Sequence, residues 1–205
     1  MVSALKKTLH ASEQDRPDVQ AARQKLREDQ AKLVAADLVF IDETGVTTNM
    51  LRRNGRCLRG ERLVSKTPHG NWKITTVIAA LGHDRMTAPM TLDGPMTGEM
   101  FKAWLVKFLV PTLKPGMTVF MDNLPSHKSP DIRAIIEARG AFLRYLPPYS
   151  PDSNPIEPAF SKFKAQLRKA NAPSIKELWR EIAKAIKSFK PEDCAAFFKH
   201  CGYAN

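Results

Sequence analysis

The chain has 205 residues, 43% of them hydrophobic and 26% charged, with 32 Lys and Arg against 21 Asp and Glu for a formal net charge of +11. This length and balance describe one globular domain, with or without a small appendage. They exclude a disordered tail, a collagen-like repeat and a coiled-coil rod.

The first helical pattern follows Asp15-Arg-Pro17, where Val19, Ala22, Leu26 and Leu33 recur at helical spacing; it predicts a helix over about Asp18–Ala35, a lead-in and not core. Leu38–Ile41 is a fully apolar run that ends in Asp42, the pattern of a strand buried on both faces. Further strands are expected at Arg62–Ser65, Ile74–Leu81 and Met86–Leu92, separated by turn-forming clusters. A helix opening near Thr97 carries Met100, Phe101, Trp104, Leu105, Phe108 and Leu109 on one broad stripe and closes near Pro111. Thr118–Met121 then repeats the earlier device, an apolar run ending in Asp122. Ser129-Pro130-Asp131 caps a helix that Gly140 ends, and Ala141–Leu146 is the next strand. After the turn-rich Pro147–Pro155 come a helix marked by Phe160, Phe163 and Leu167, and another whose start is the capping box Ser174-Ile-Lys-Glu177. Hairpins followed by alternating helices and strands give an α/β fold, a mixed sheet with helices on its faces.

The charge is concentrated. Asn49–Lys73 has seven basic residues and one acid, and Ile156–Lys190 has nine and three, so each nets +6 while the rest of the chain is near neutral. Two basic faces point to a polyanion, nucleic acid first. No apolar run approaches the length that spans a bilayer, and no apolar stretch follows Lys6 and Lys7 as a secretory leader requires. Cys57, Cys194 and Cys201 lack CxxC spacing and read as reduced thiols of a cytoplasmic protein. No GxxxxGK loop supports nucleotide hydrolysis.

Two strands ending in Asp would, as sheet neighbours, set Asp42 and Asp122 side by side. Carboxylates next to core strands need compensation, which divalent cations supply. Glu157 is the third candidate ligand for an oxygen-rich Mg2+ or Mn2+ site. A second reading of the same residues makes Asn154 a helix cap with Glu157 in its first turn, and Pro158 moves the helix start.

Three blocks together resemble a family: Phe40-Ile-Asp42-Glu-Thr-Gly45; Phe120-Met-Asp122-Asn123 with His127-Lys128; and Leu146-Pro-Pro-Tyr-Ser-Pro-Asp-Ser-Asn-Pro-Ile-Glu157. They are similar to the signature blocks of mariner-like DDE transposases, in particular those of bacterial insertion sequences. The 34 residues between Asp122 and Glu157 match that superfamily's spacing, and Pro68–Trp72 and Phe160–Lys164 are similar as well. The resemblance implies a ribonuclease H-like fold over about 37–172, with 1–36 a helical lead-in and 173–205 C-terminal helices packed on it. It implies a metal-dependent enzyme that cleaves DNA at element ends and joins the freed 3′-hydroxyl to a TA-type target, working at the bacterial nucleoid. Asp42, Asp122 and Glu157 would be its catalytic, metal-binding triad, with two Mg2+ or Mn2+ ions, and a homodimer on DNA is expected. Members of that family carry an upstream helix-turn-helix region. The 36 residues before the first strand are too few for one, so a separate upstream polypeptide is expected to supply it, or else the chain is an inactive DNA-binding remnant.

Arg52, Arg53, Arg56 and Arg59 are candidate phosphate contacts between strands, and Lys162, Lys164 and Arg168 follow Glu157 on one helix. His127 and Lys128 follow the second acid closely. Trp72 is a candidate for base stacking, with burial in packed surroundings its expected fate.

Overall fold

The computed structural model describes residues 11–51, 57–64, 72–123 and 128–203. Arg52, Arg53, Arg56, Pro68–Asn71 and His127 lie outside the described residues.

Five strands form one mixed sheet: β1 (Leu38–Thr47), β2 (Ile74–Gly82), β3 (Met86–Asp93), β4 (Thr118–Met121) and β5 (Phe142–Tyr145), in the order β3-β2-β1-β4-β5. The hairpin pairings β1–β2 and β2–β3 are antiparallel, and β1–β4 and β4–β5 are parallel. The helices are α1 (Pro17–Gln30), α2 (Gly98–Trp104), α3 (Pro130–Glu137), α4 (Ile156–Ala170), α5 (Ile175–Lys187) and α6 (Pro191–His200). This is the mixed sheet flanked by helices that the sequence predicts.

Alternation along the strands divides the core in two. Val39, Ile41, Val119 and Met121 face α2 and α3, where Phe101, Trp104, Ile132 and Ile136 cover them. Leu38, Phe40, Val77, Ala79, Leu81 and Phe120 face the other way, onto Leu26 of α1, the apolar stripe of α4, and residues of α5 and α6. The Phe40 and Phe120 rings stack there at 4.9 Å and 9°, with Tyr203 edge-on to Phe40 at 4.9 Å.

Three expectations change. The first helix ends at Gln30, not Ala35, because the Gln30 side chain turns inward to donate to the Cys201 carbonyl at 2.9 Å and the chain then turns through Ala35–Asp37 into β1. Arg62–Val64 form no strand: their side chains are exposed, and no strand among the described residues pairs with them. Strand β1 runs on through Asp42–Thr47, six residues past the apolar run, because β2 pairs with it as far as Thr47. Cys194 and Cys201 are free and buried, and burial pushes their thiols up to about 11 and 12; Cys57 is free and exposed.

The Tyr203 hydroxyl donates to the buried Ser153 carbonyl at 3.0 Å, tying the chain after α6 to the Pro147–Pro155 loop. Tyr203→Phe keeps the ring packing and removes that donor. A loss of about 1–2 kcal/mol, read as a fall in Tm of roughly 2–8 °C, is expected. An unchanged Tm would show that the carbonyl finds another donor.

Candidate active site

The register of the sheet brings the first two acids together. Leu38, Val39 and Phe40 pair with Thr118, Val119 and Phe120, so two residues further on Asp42 lies level with Asp122, just past the end of the paired segment. Parallel neighbours lie about 4.8 Å apart, and both side chains share the face of Phe40 and Phe120. That face is the one α4 covers. On the other side of Asp42, β2 sets Ala79 opposite it, a side chain small enough to leave room.

Helix α4 delivers the third acid. Ile156, Ala159, Phe160, Phe163 and Leu167 are buried on one stripe, which fixes how the helix lies on the sheet and puts Glu157, exposed in its first turn, next to the strand ends. A carboxylate there is favoured by the helix dipole. Asp42, Asp122 and Glu157 line one cavity of about 430 Å3, together with Asn123, Pro147, Pro148, Tyr149 and Asn154.

Burial, with the charges of Glu157 and Asp122 adding to it, raises the Asp42 carboxyl to about 7, although the Glu43 N–H donates to it at 2.7 Å and opposes the shift. Such a site draws positive charge. Among the described residues no three His, Cys, Asp or Glu side chains converge closely enough to hold one ion as they stand. The chemistry of the donor set nonetheless fits a hard divalent cation: three carboxylates around one cavity, one of them pushed toward its neutral form by burial and by the charges of the other two, and beside them a buried oxygen, Asn154 Oδ1, with no hydrogen-bond partner among the described residues.

The loop before α4 is held from the far end of the sequence. Arg23 of α1, its side chain 12% exposed, donates to the Tyr149 carbonyl at 3.1 Å and the Ser150 hydroxyl at 2.9 Å, and grips Asp152 with both terminal nitrogens at 2.9 and 2.7 Å. Gln14 adds a second donor to the Tyr149 carbonyl. Tyr149 itself has φ +53°, a left-handed conformation that costs a non-glycine residue energy and needs such support. Neither Arg23 nor Asn154 carries a sequence signal for this role, because both act across more than a hundred residues.

The basic residues separate into groups. Lys164 and Arg168 line a groove of about 410 Å3 with Gly45–Thr47 and Asn49–Leu51 at the end of β1. Lys162 points elsewhere: it pairs with Asp193 at 2.6 Å and lies over the Phe189 ring. Arg59 and Lys128 are exposed. Trp72 is 58% exposed just before β2, so the packed surroundings expected for it are not there.

Residues 37–179, most of the chain, match the family model described as DDE superfamily endonuclease. The chain belongs to the DDE superfamily endonucleases. No curated protein sequence matches it. Among solved structures, the chain is similar to the Mos1 transposase in a paired-end complex with its left transposon end, at 14% identity and TM-score 0.76, covering 98% of this chain and 64% of that one. The mariner Mos1 paired-end complex with Mg gives 14% and 0.76 over 100% and 64%. The Mos1 catalytic domain alone gives 13% and 0.63 over 98% and 94%. This DDE endonuclease thus has the ribonuclease H-like fold of that catalytic domain, and spans about 64% of the longer Mos1 chains. No helix among its described residues is long and apolar enough to cross a membrane.

Proposed function

We propose that the chain is the catalytic domain of a transposase of bacterial insertion-sequence type, which cleaves DNA at element ends and joins the freed 3′-hydroxyl to a TA-type target. The observation that carries this is the placement of Asp42, Asp122 and Glu157 around one cavity, with Asp42 raised by burial and by the charges of the other two. These three residues would hold two Mg2+ or Mn2+ ions, which when bound activate the attacking oxygen and screen the developing charge on the phosphate and leaving oxygen. The protein's own part is placement. The sheet register sets Asp42 against Asp122, and α4 sets Glu157 beside both, so the reacting phosphate is met by a fixed frame.

DNA leaving the cavity along α4 meets Lys164 and Arg168, two and three turns beyond Glu157, whose charges face the groove and track phosphates. Lys162 is engaged by Asp193, so on α4 the DNA-contact proposal rests on Lys164 and Arg168. Arg52, Arg53, Arg56, Arg59, His127 and Lys128 extend the proposed contact surface, and the chain would work as a homodimer on the DNA.

The test is nicking of supercoiled plasmid in Mn2+ or Mg2+. Glu157→Gln is expected to lower the rate about a thousandfold, an effect of roughly 4 kcal/mol on the barrier. Nicking at the wild-type rate by Glu157→Gln would sink the proposal. Separately, Lys164→Ala and Arg168→Ala are each expected to reduce the salt dependence of DNA binding by about one phosphate contact. Unchanged slopes would move the DNA path off α4.

A further inference from the structure

Asn154 stands where a helix cap belongs, yet it does not cap α4. The residue at the cap is Pro155, and no side chain caps the helix. Asn154 is 4% exposed, and its amide nitrogen donates to Asp42 Oδ2 at 3.0 Å. Its main-chain carbonyl accepts the N–H of Glu157 at 3.0 Å, and its own N–H donates to the Pro151 carbonyl at 3.1 Å. One residue thus bonds to the first acid through its side chain and to the third through its backbone.

We propose that Asn154 is a positioning residue that sets Asp42 in register with Glu157 for divalent-cation binding. The proposal rests on the reading of the acids as a metal site.

Three features argue for it. First, the Asp42 carboxylate receives one donor on each oxygen, the Glu43 N–H on Oδ1 and the Asn154 amide on Oδ2, which fixes the plane of the group and leaves the remaining lone pairs for a ligand. Second, in the ionised form that binds a cation the Asp42 carboxylate can only accept, so the amide presents its nitrogen to it. The consequence is Asn154 Oδ1, buried with no hydrogen-bond partner among the described residues. A buried acceptor left unpaired is costly, and one retained beside three acids is the mark of an orientation kept for function. Third, ligand carboxylates in metal sites are themselves held by hydrogen bonds, and removing such a partner typically weakens metal affinity about 10–100-fold.

A residue that only stapled the loop would lower stability when replaced and leave metal affinity alone. The experiment is therefore a titration of the full chain with Mn2+ alone, followed by calorimetry, for wild type, Asn154→Ala and Asn154→Ser, with Tm measured in EDTA. Both variants are expected to bind Mn2+ at least about tenfold more weakly than wild type. Asn154→Ser keeps a small polar side chain and serves where Asn154→Ala does not fold. Mn2+ affinity within twofold of wild type in a folded variant, whatever its Tm, overturns the positioning role and leaves the metal site standing. Absence of Mn2+ binding by the wild type overturns both.

Discussion

Asp42→Asn is expected to abolish DNA cleavage and at the same time to stabilise the metal-free protein. Both effects follow from the surroundings of that carboxylate. Asp42 is raised from 3.8 to about 7 by burial and by the charges of Glu157 and Asp122. An acid that protonates more readily in the folded than in the unfolded chain makes stability fall as pH rises between those two values. At pH 8 the deprotonated group costs at most about 4 kcal/mol, and near pH 4 the cost vanishes. The new amide would remove that cost. Its nitrogen would also face Asn154, whose amide can turn to bring the unpartnered Oδ1 into a hydrogen bond. Denaturant melts in EDTA at pH 5 and pH 8 check this: the wild type should lose stability between them, and the variant should change little across that window. With Mn2+ at about a hundred times its Kd, the wild type should gain roughly 2.7 kcal/mol, or about 5–10 °C, and the variant nothing comparable. A wild type whose stability is flat from pH 5 to pH 8 would show that Asp42 is not strained by its neighbours.

Arg23→Ala is the second large effect, and it strikes the site from a helix that holds none of its acids. Arg23 makes hydrogen bonds to Tyr149, Ser150 and Asp152, and no other side chain among the described residues bonds to that loop at so many points. Its loss would release the left-handed Tyr149 and leave the loop leading to Asn154 and Glu157 less fixed. A stability loss of about 2–4 kcal/mol is expected from the charge-assisted bonds of a largely buried guanidinium. Cleavage is expected to slow about a hundredfold, the effect of an ångström-scale displacement of reacting groups. Because Arg23 holds the Asp152 carboxyl below its ordinary 3.8, the pair contributes fully above about pH 4 and is lost as pH falls further. Arg23→Lys keeps the charge and loses the two-pronged grip, and should fall between wild type and alanine. Single-turnover nicking and thermal melts measure the two effects. An Arg23→Ala protein that melts early but cleaves at the wild-type rate would make the clamp purely structural.

Much of this architecture is legible before any coordinates. Apolar runs ending in Asp mark β1 and β4, because strands covered on both faces need side chains that are apolar throughout. The capping box at Ser174 works as read: its hydroxyl accepts the Glu177 N–H and α5 begins at Ile175. The continuation of β1 through Asp42-Glu-Thr-Gly was not legible, since a polar stretch becomes a strand only when a partner supplies its hydrogen bonds, here β2. Asn154 misled for a related reason. Its local pattern is that of a cap, but a carboxylate 112 residues away competes for the same amide and wins, charge-assisted bonds being the stronger kind. Arg23 on its helix looks like any solvated base until the loop it grips is in place.

The bond from Tyr203 to Ser153 also has a bearing on the order in which the protein is made. All three acids leave the ribosome before the residue that fastens the loop between the second and third of them. A polypeptide released short of Tyr203 would hold every carboxylate of the cavity and lack the hydroxyl that secures its wall. Long-range closures of this sort form late, because the chain between them must be ordered first. Through this bond the frame around the acids depends on a residue made after the acids themselves.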